Sequence, residues 1–254
     1  IYSFPYYKDG RVVCASTDGS VYCLNAKNGK KIWEYKTEKG IVACPLVVDG
    51  DVYIGSSCGK FYAIDLKTGK TRWVFDGVKG FIEARAVADK DKVYIGSWGN
   101  EFYALSRRDG SLVWKWNNGG SRMLSAAANF PVIGSGRIFI TTPERATRAL
   151  DKETGREIWM SKETNGRESQ GISADGRTLY VKTMLTNELI ESSDDAILVP
   201  SSIGKVYAVS PDGSRVIWAK KLSNTVINHI VPIGRDKVIA STMDGKIVCI
   251  EYTL

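Results

Sequence analysis

The chain has 254 residues, 43% of them hydrophobic, enough to bury a substantial core as one large domain or two small ones. No run of about 18 apolar residues is present to span a bilayer as a helix. The opening, IYSFPYYKDG, starts at Ile and has no charged stretch leading into an apolar one, so the chain reads as a processed product or an excised domain. The net charge is +7, but most Lys stand beside Gly in turn-like stretches such as KNGKK and KTGK, which argues for solvated turns and edges rather than a nucleic-acid face.

In chain order, seven short β-rich runs appear: VVCAST from Val12, VYIGSS from Val52, VYIGSW from Val93, IFITTP from Ile138, LYVKTM from Leu179, ILVPSS from Ile197 and VIASTM from Val238. Their spacings are 40, 41, 45, 41, 18 and 41 residues, so all but one step equal a single repeat. A second unit recurs with them: GSVYCLNAKNGKKIW (19–33), GKFYAIDLKTGKTRW (59–73), NEFYALSRRDGSLVW (100–114), RATRALDKETGREIW (145–159) and GKVYAVSPDGSRVIW (204–218). Each closes on a Trp: Trp33, Trp73, Trp114, Trp159 and Trp218. A sixth copy, GKIVCIEYTL (245–254), stops before its Trp. The short step follows LYVKTM, where LTNELIESSDD replaces the expected turn, aromatic strand and Trp strand.

Each full repeat divides into four short strands, as in VACPLVV, DVYIGSS, KFYAIDL and TRWVFD. β-branched and aromatic residues alternate in them with period two, the pattern of a sheet. Asp18-Gly19 and Asp244-Gly245 read as two-residue hairpin turns that need positive φ, and Gly99-Asn100 suits the same geometry. Four strands per repeat of 40 to 45 residues imply an all-β chain, a β-propeller of four-stranded antiparallel blades, because a lone sheet has two apolar faces that only neighbouring blades cover. The expectation is a single propeller domain over 1–254 with seven blades, at about 1–37, 41–77, 82–117, 127–162, 169–184 (partial), 186–221 and 227–254, with six blades as the alternative. The last blade is expected to have three strands, or to be completed by residues outside this sequence.

AIDLKTGKTRW (63–73) and ALDKETGREIW (149–159) resemble the repeat of the pyrroloquinoline-quinone-like β-propellers, Ala-x-Asp-x-x-Thr-Gly-x-x-x-Trp. The resemblance runs over nearly the whole chain. It implies that the five Trp residues dock one blade against the next, a role suited to a large flat ring with one N–H. It covers both quinoprotein dehydrogenases and propellers without a cofactor, so function must be argued from the site. In the quinoproteins the cofactor is held with Ca²⁺ by carboxylates and Asn, commonly beside a disulfide of adjacent cysteines. This chain has no Cys-Cys pair, and no pyrroloquinoline quinone or other cofactor is expected. The chain is also similar to a lipoprotein scaffold of outer-membrane assembly and to propellers attached to bacterial metallophosphoesterases, which implies a periplasmic, envelope or secreted setting.

Catalytic and metal chemistry find little support. His229, in VINHIVP, is the single histidine and reads as a strand residue; no Cys-x-x-Cys, phosphate loop or Gly-x-Ser-x-Gly occurs. No metal site and no catalytic residue is expected. If the Asp18-Gly19 turn has two residues, positions summing to 37 face each other, so Cys14 lies opposite Cys23 and a cross-strand disulfide is within reach. Two reduced thiols packed as small apolar residues fit equally well, since Cys249 fills the same slot without a partner.

The passages between blades carry the remaining signal. Glu83, Arg85, Arg122, Asn129, Arg167, Glu168, Gln170, Glu188, Asn228 and His229 fall there, and Trp98 ends a second strand where other repeats have Ser or Thr. Charged groups on strands that should line a closed core are unusual. They are read as a ligand-binding face over a central channel, against the plainer reading of a wet channel with solvated or paired groups. The expected function is a non-catalytic binding or scaffold propeller, an accessory domain of a larger secreted or envelope protein. Its expected partner is a protein or a small anionic ligand, with no nucleic acid and no membrane insertion. The alternative is an enzyme, quinone-dependent or otherwise, that uses the polar passage residues.

Overall fold

The computed structural model describes residues 1, 3–117, 130–142, 146–161, 168–173, 175–182, 204–213 and 215–252. These fall into two compact units, Ile1–Pro131 and Val132–Leu254. Every regular element among the described residues is a β-strand, and each strand pairs antiparallel with its neighbour in sequence within its own sheet.

The first unit holds three four-stranded sheets. They are β1 (Tyr6–Lys8), β2 (Arg11–Ala15), β3 (Ser20–Asn25) and β4 (Lys31–Lys36); β5 (Leu46–Val48), β6 (Asp51–Gly55), β7 (Phe61–Asp65) and β8 (Thr71–Phe75); and β9 (Val87–Ala88), β10 (Lys92–Gly96), β11 (Glu101–Ser106) and β12 (Leu112–Asn117). The second unit holds β13 (Val132–Gly134), β14 (Arg137–Thr142), β15 (Ala146–Asp151) and β16 (Glu157–Ser161); β17 (Glu168–Ile172), β18 (Leu179–Lys182), β19 (Lys205–Val209) and β20 (Val216–Lys221); and a three-stranded sheet of β21 (Ile227–Ile233), β22 (Lys237–Thr242) and β23 (Ile247–Glu251).

The two middle strands of a sheet are apolar on both faces because sheets stack on either side of them. Tyr53 and Ile54 of β6 and Phe61, Ala63 and Ile64 of β7 are all at most 1% exposed. The fourth strands meet solvent and return to alternation, with Trp33 buried between exposed Ile32 and Glu34. In each four-stranded sheet a β-bulge sets the Trp opposite the small residue of the third strand: Cys23↔Trp33, Ala63↔Trp73, Ala104↔Trp114, Ala149↔Trp159 and Ala208↔Trp218.

The Trp side chains join sheets within each unit. Trp33 Nε1 donates to Leu66 O at 2.8 Å, Trp73 Nε1 to Arg107 O at 3.0 Å, and Trp159 Nε1 to Pro211 O at 3.0 Å, each on the following sheet. Their rings cover the glycine of that sheet's last turn: a Cβ on Gly69 would lie 2.8 Å from Trp33, on Gly110 2.5 Å from Trp73 and on Gly213 2.7 Å from Trp159. These glycines also have φ of +70°, +74° and +77°. Both demands, a left-handed backbone and room for an indole, exclude any side chain. Arg107 reinforces one seam, donating to Tyr53 Oη, Asp49 Oδ2 and the carbonyls of Asp89 and Lys90.

Two sequence expectations, both at the hairpin turns, need correction. The described strands form six sheets, one of the two counts that the sequence allows. The expected partial blade at 169–184 and the next at 186–221 share one sheet, because β18 pairs directly with β19 in the register Tyr180↔Ala208. The run at Ile197 that suggested a further blade lies outside the described residues. The first correction concerns the turns. Ser16 N–H bonds Ser20 O and Gly19 N–H bonds Ser16 O, so three residues, with Gly19 at φ +88°, close the hairpin. The same pattern recurs at Thr242 with Gly245 and at Ser97 with Asn100 at φ +64°.

The extra loop residue moves the register by one, which is the second correction. Val13 faces Cys23 and Cys14 faces Tyr22. Residues adjacent along a strand point to opposite faces, so Cys14 and Cys23 lie on opposite sides of the sheet. Both are free thiols.

Candidate functional site

In the first unit the hairpins that follow the second strands and the passages between sheets sit at the same end. Backbone bonds tie them together: Ser57 N–H to Gly40 O, and Trp98 N–H to Phe81 O, both at 3.0 Å. The second contact is close enough to require glycine on both sides, since a Cβ on Gly99 would lie 2.2 Å from Lys79 O and one on Gly80 would lie 2.6 Å from Gly99 N.

This clasp brings Trp98 over Phe81, with ring centroids 5.1 Å apart and planes 19° apart. Trp98 Nε1 donates to Glu83 Oε2 at 2.8 Å, so the carboxylate orients the indole. Lys79, Gly80, Phe81, Trp98, Gly99 and Asn100 line a cleft of about 320 Å³. Glu83 also borders a smaller cavity of about 130 Å³ with Ser3, Phe4, Val42, Cys44, Ala84 and Phe130. Along the passage, Ile82, Ala84 and Ala86 point inward while Glu83 is half-buried and Arg85 exposed. The Arg85 guanidinium lies 5.8 Å from the centre of the Phe130 ring. Phe4 is 62% and Phe81 37% exposed. The result is a strip of four aromatic rings with one carboxylate and one guanidinium among them.

Below the cleft, Tyr103 Oη accepts from Lys79 N–H at 2.8 Å and donates to a carboxylate oxygen of Glu101. Burial first, and then the Glu101 bond, push the Tyr103 phenol up to about 12, so it is a neutral donor that holds the start of the passage in place.

Trp98, Glu83 and Arg85 are thus brought together as one surface. In the second unit Asn228 and His229 are exposed on β21, and Asn228 is the extra residue of a bulge between Ile227 and His229. Gln170 holds the matching bulge position in β17, between Ser169 and Gly171, and Glu168 begins that strand. Bulges re-aim strand ends and are frequent beside binding sites. Arg122, Asn129, Arg167 and Glu188 lie outside the described residues.

Phe4, Phe81 and Phe130 have no signal in the repeat, since they lie in passages or near a terminus; exposure singles out Phe4 and Phe81, and the Arg85 contact singles out the half-buried Phe130. A larger cleft of about 780 Å³, lined by Tyr35, Lys36, Thr37, Glu38, Lys60, Tyr62, Val74, Phe75, Asp76 and Gly77, also escapes the sequence. Its Tyr35 and Tyr62 rings meet edge to face at 5.7 Å, and its Lys60 is paired with Glu38, so its charges are internally neutralised. Among the described residues no three His, Cys, Asp or Glu side chains converge as metal ligands.

The stacked four-stranded sheets with Trp-closed repeats define an all-β protein of the PQQ-like β-propeller class. The chain belongs to the PQQ_2 family, described as outer membrane protein assembly factor BamB, whose family model matches residues 2–81 and 78–253. Among solved structures it is similar to BamB from Moraxella catarrhalis, with a TM-score of 0.75 and 16% identity over 98% of this chain and 69% of that one. It is also similar to the computationally designed Ika8 protein, with a TM-score of 0.65 and 12% identity over 98% of this chain and 83% of that one. A stretch of 36 residues is 47% identical to the Beta-alanine-activating enzyme of Danio rerio; it spans 14% of this chain and 3% of that enzyme, less than one repeat.

Proposed function

We propose that this chain is a non-catalytic docking platform that binds a protein partner through the aromatic strip of its first unit. The observation that carries the reading is the Trp98–Phe81 stack, oriented by Glu83 and left partly open to solvent. Thr17 and Ser57 occupy the place of Trp98 in the two preceding repeats, so the indole is not a requirement of the fold. An aromatic pair bordered by charges is the composition of an interface anchor, with the rings supplying desolvated area and Glu83 and Arg85 supplying orientation. Membership of a family described as an outer membrane protein assembly factor supports a scaffold role and an envelope setting. The reading needs no cofactor. Arg85 and Lys79 favour a partner that presents carboxylates around an apolar anchor.

The test is site-specific photocrosslinking from position 81 in the producing cell, with adducts identified by mass spectrometry. A discrete protein adduct that disappears in the Trp98→Ala protein supports the reading. Absence of adducts, or adducts unchanged by that substitution, overturns it.

A further inference from the structure

The cleft of about 780 Å³ lies between the first two sheets of the first unit, where Tyr35 of β4 meets Tyr62 of β7 edge to face at 5.7 Å. Between the second and third sheets Phe75 meets Tyr103 in the same way at 6.2 Å. The registers Tyr62↔Val74 and Tyr103↔Lys115 make the two seams comparable residue by residue. Val74 then stands where the second seam has Lys115, and Lys60 stands where it has Glu101. In the hairpin, Cys58 holds the place that Asp18 has in the first sheet.

In the second seam these side chains close on one another. Tyr103 Oη donates to one oxygen of the buried Glu101, and Lys115 Nζ donates to the other at 3.4 Å. In the first sheet Tyr22 Oη likewise donates to a carboxylate, that of Asp18, at 2.9 Å. Tyr62 has neither acceptor. Its hydroxyl stands 3.8 Å from Cys58 Sγ and beside the Ser56 hydroxyl, and no carboxylate accepts from it among the described residues. Val74 is shorter than Lys115 by a charged stem, so the space beside the Tyr62 ring stays open. Lys60 turns outward to pair with Glu38, whose side chain is 62% exposed.

We infer that this cleft is a binding site for a small alkyl carboxylate, with its chain on Tyr35, Tyr62 and Val74 and its carboxylate accepting from Tyr62 Oη and Lys60 Nζ. Such a ligand supplies what the chain itself supplies in the next seam, an aliphatic stem in place of Lys115 and a carboxylate in place of Glu101. Burial of apolar surface favours the stem. A phenol and an ammonium hold the carboxylate through charge-assisted hydrogen bonds. Glu38 competes for the same ammonium, but an ion pair with one partner mostly in solvent is weak and is readily exchanged. The site is separate from the Trp98–Phe81 strip and does not depend on the role of that strip.

The test follows the backbone amides of the isotopically labelled 254-residue chain by NMR during titration with sodium octanoate, with octylammonium chloride as the control of opposite charge. Octanoate is expected to shift the amides of Val74 to Gly77 saturably, and octylammonium to bind about tenfold or more weakly. Glu38→Gln removes the competing carboxylate and should tighten octanoate binding about threefold. Cys58→Asp gives Tyr62 the acceptor that Tyr22 has, and Val74→Lys copies the next seam; each should weaken octanoate binding about tenfold. Both new residues already stand at the corresponding place in a neighbouring sheet, and if one variant fails to fold the other decides. Absence of saturable shifts overturns the inference. So does equal binding of octylammonium, which would make the cleft a plain apolar groove, or octanoate binding unchanged in a folded Cys58→Asp or Val74→Lys protein.

Discussion

The indole of Trp73 rests on Gly110 so closely that a Cβ at that glycine would stand 2.5 Å from its Cε3 atom. Gly29 holds the same place in the first sheet, with φ +70° and no atom within 4 Å of its would-be Cβ. Gly29→Ala should therefore lose only the left-handed backbone term, about 1–2 kcal/mol. Gly110→Ala should lose that and a further overpacking term of about 1–3 kcal/mol. Urea midpoints of the two variants measure the difference; equal losses would show that the indole does not constrain the turn.

Arg107 is a clamp rather than a surface charge. Its side chain is 10% exposed and bonds Tyr53, Asp49 and two carbonyls, while its own carbonyl accepts from Trp73. Lysine keeps the charge and loses the fork. Arg107→Lys is expected to cost about 2 kcal/mol, the scale of hydrogen bonds to charged groups with partners left unsatisfied. Neighbouring Arg108, which is exposed, serves as the control in the same thermal or urea unfolding.

For the aromatic strip, Trp98→Ala should weaken partner binding by about 2 kcal/mol or more, as for a central interface anchor. Its effect on folding should stay well below that of Trp73→Ala, for which about 3–5 kcal/mol is expected. Calorimetry with the crosslinked partner and urea unfolding separate the two. If Trp98→Ala destabilises the fold as much as Trp73→Ala does, the indole is a structural pillar.

Asp109 sets a pH dependence. Its carboxylate accepts from the Ser111 hydroxyl at 2.7 Å and from Ser111 N–H at 3.1 Å, and these bonds lower its pKa from the ordinary 3.8 to about 2. A depressed folded-state pKa contributes stability above the unfolded value that is lost as pH falls through the folded one. The stability difference between the natural chain and Asp109→Asn should hold at neutral pH and fade between 3.8 and about 2. Urea midpoints across that range check it; a difference that grows toward low pH would contradict the assignment.

Much of the fold is legible because its causes are local. Val12 to Ala15, Val52 to Gly55 and Val93 to Gly96 carry their strand signal in their own side chains, and the glycine of each Thr-Gly or Asp-Gly corner announces a left-handed turn. The register was not legible in the same way. A hairpin of two loop residues and one of three share the letters Thr17-Asp18-Gly19, and only the bond from Ser16 N–H to Ser20 O decides between them. That one residue separates a Cys14–Cys23 contact from two thiols on opposite faces. The sequence leaves six and seven blades open because β18 and β19 pair across a long intervening stretch of sequence that has no counterpart in the other repeats.

Trp98, Glu83 and Arg85 stood out in the sequence as departures from a repeat, whereas Phe81 did not. Its place beside Trp98 depends on the clasp of Gly80 against Gly99, a contact between residues of two sheets. By itself the sequence determined the strand type, the repeat and the residues that break it, because these follow from side-chain periodicity and turn chemistry within a few residues. Only the tertiary structure decided which faces meet, which cysteines stay apart and which aromatic rings share one surface. Those depend on hydrogen-bond register and on packing between segments that are neighbours only once the sheets have stacked.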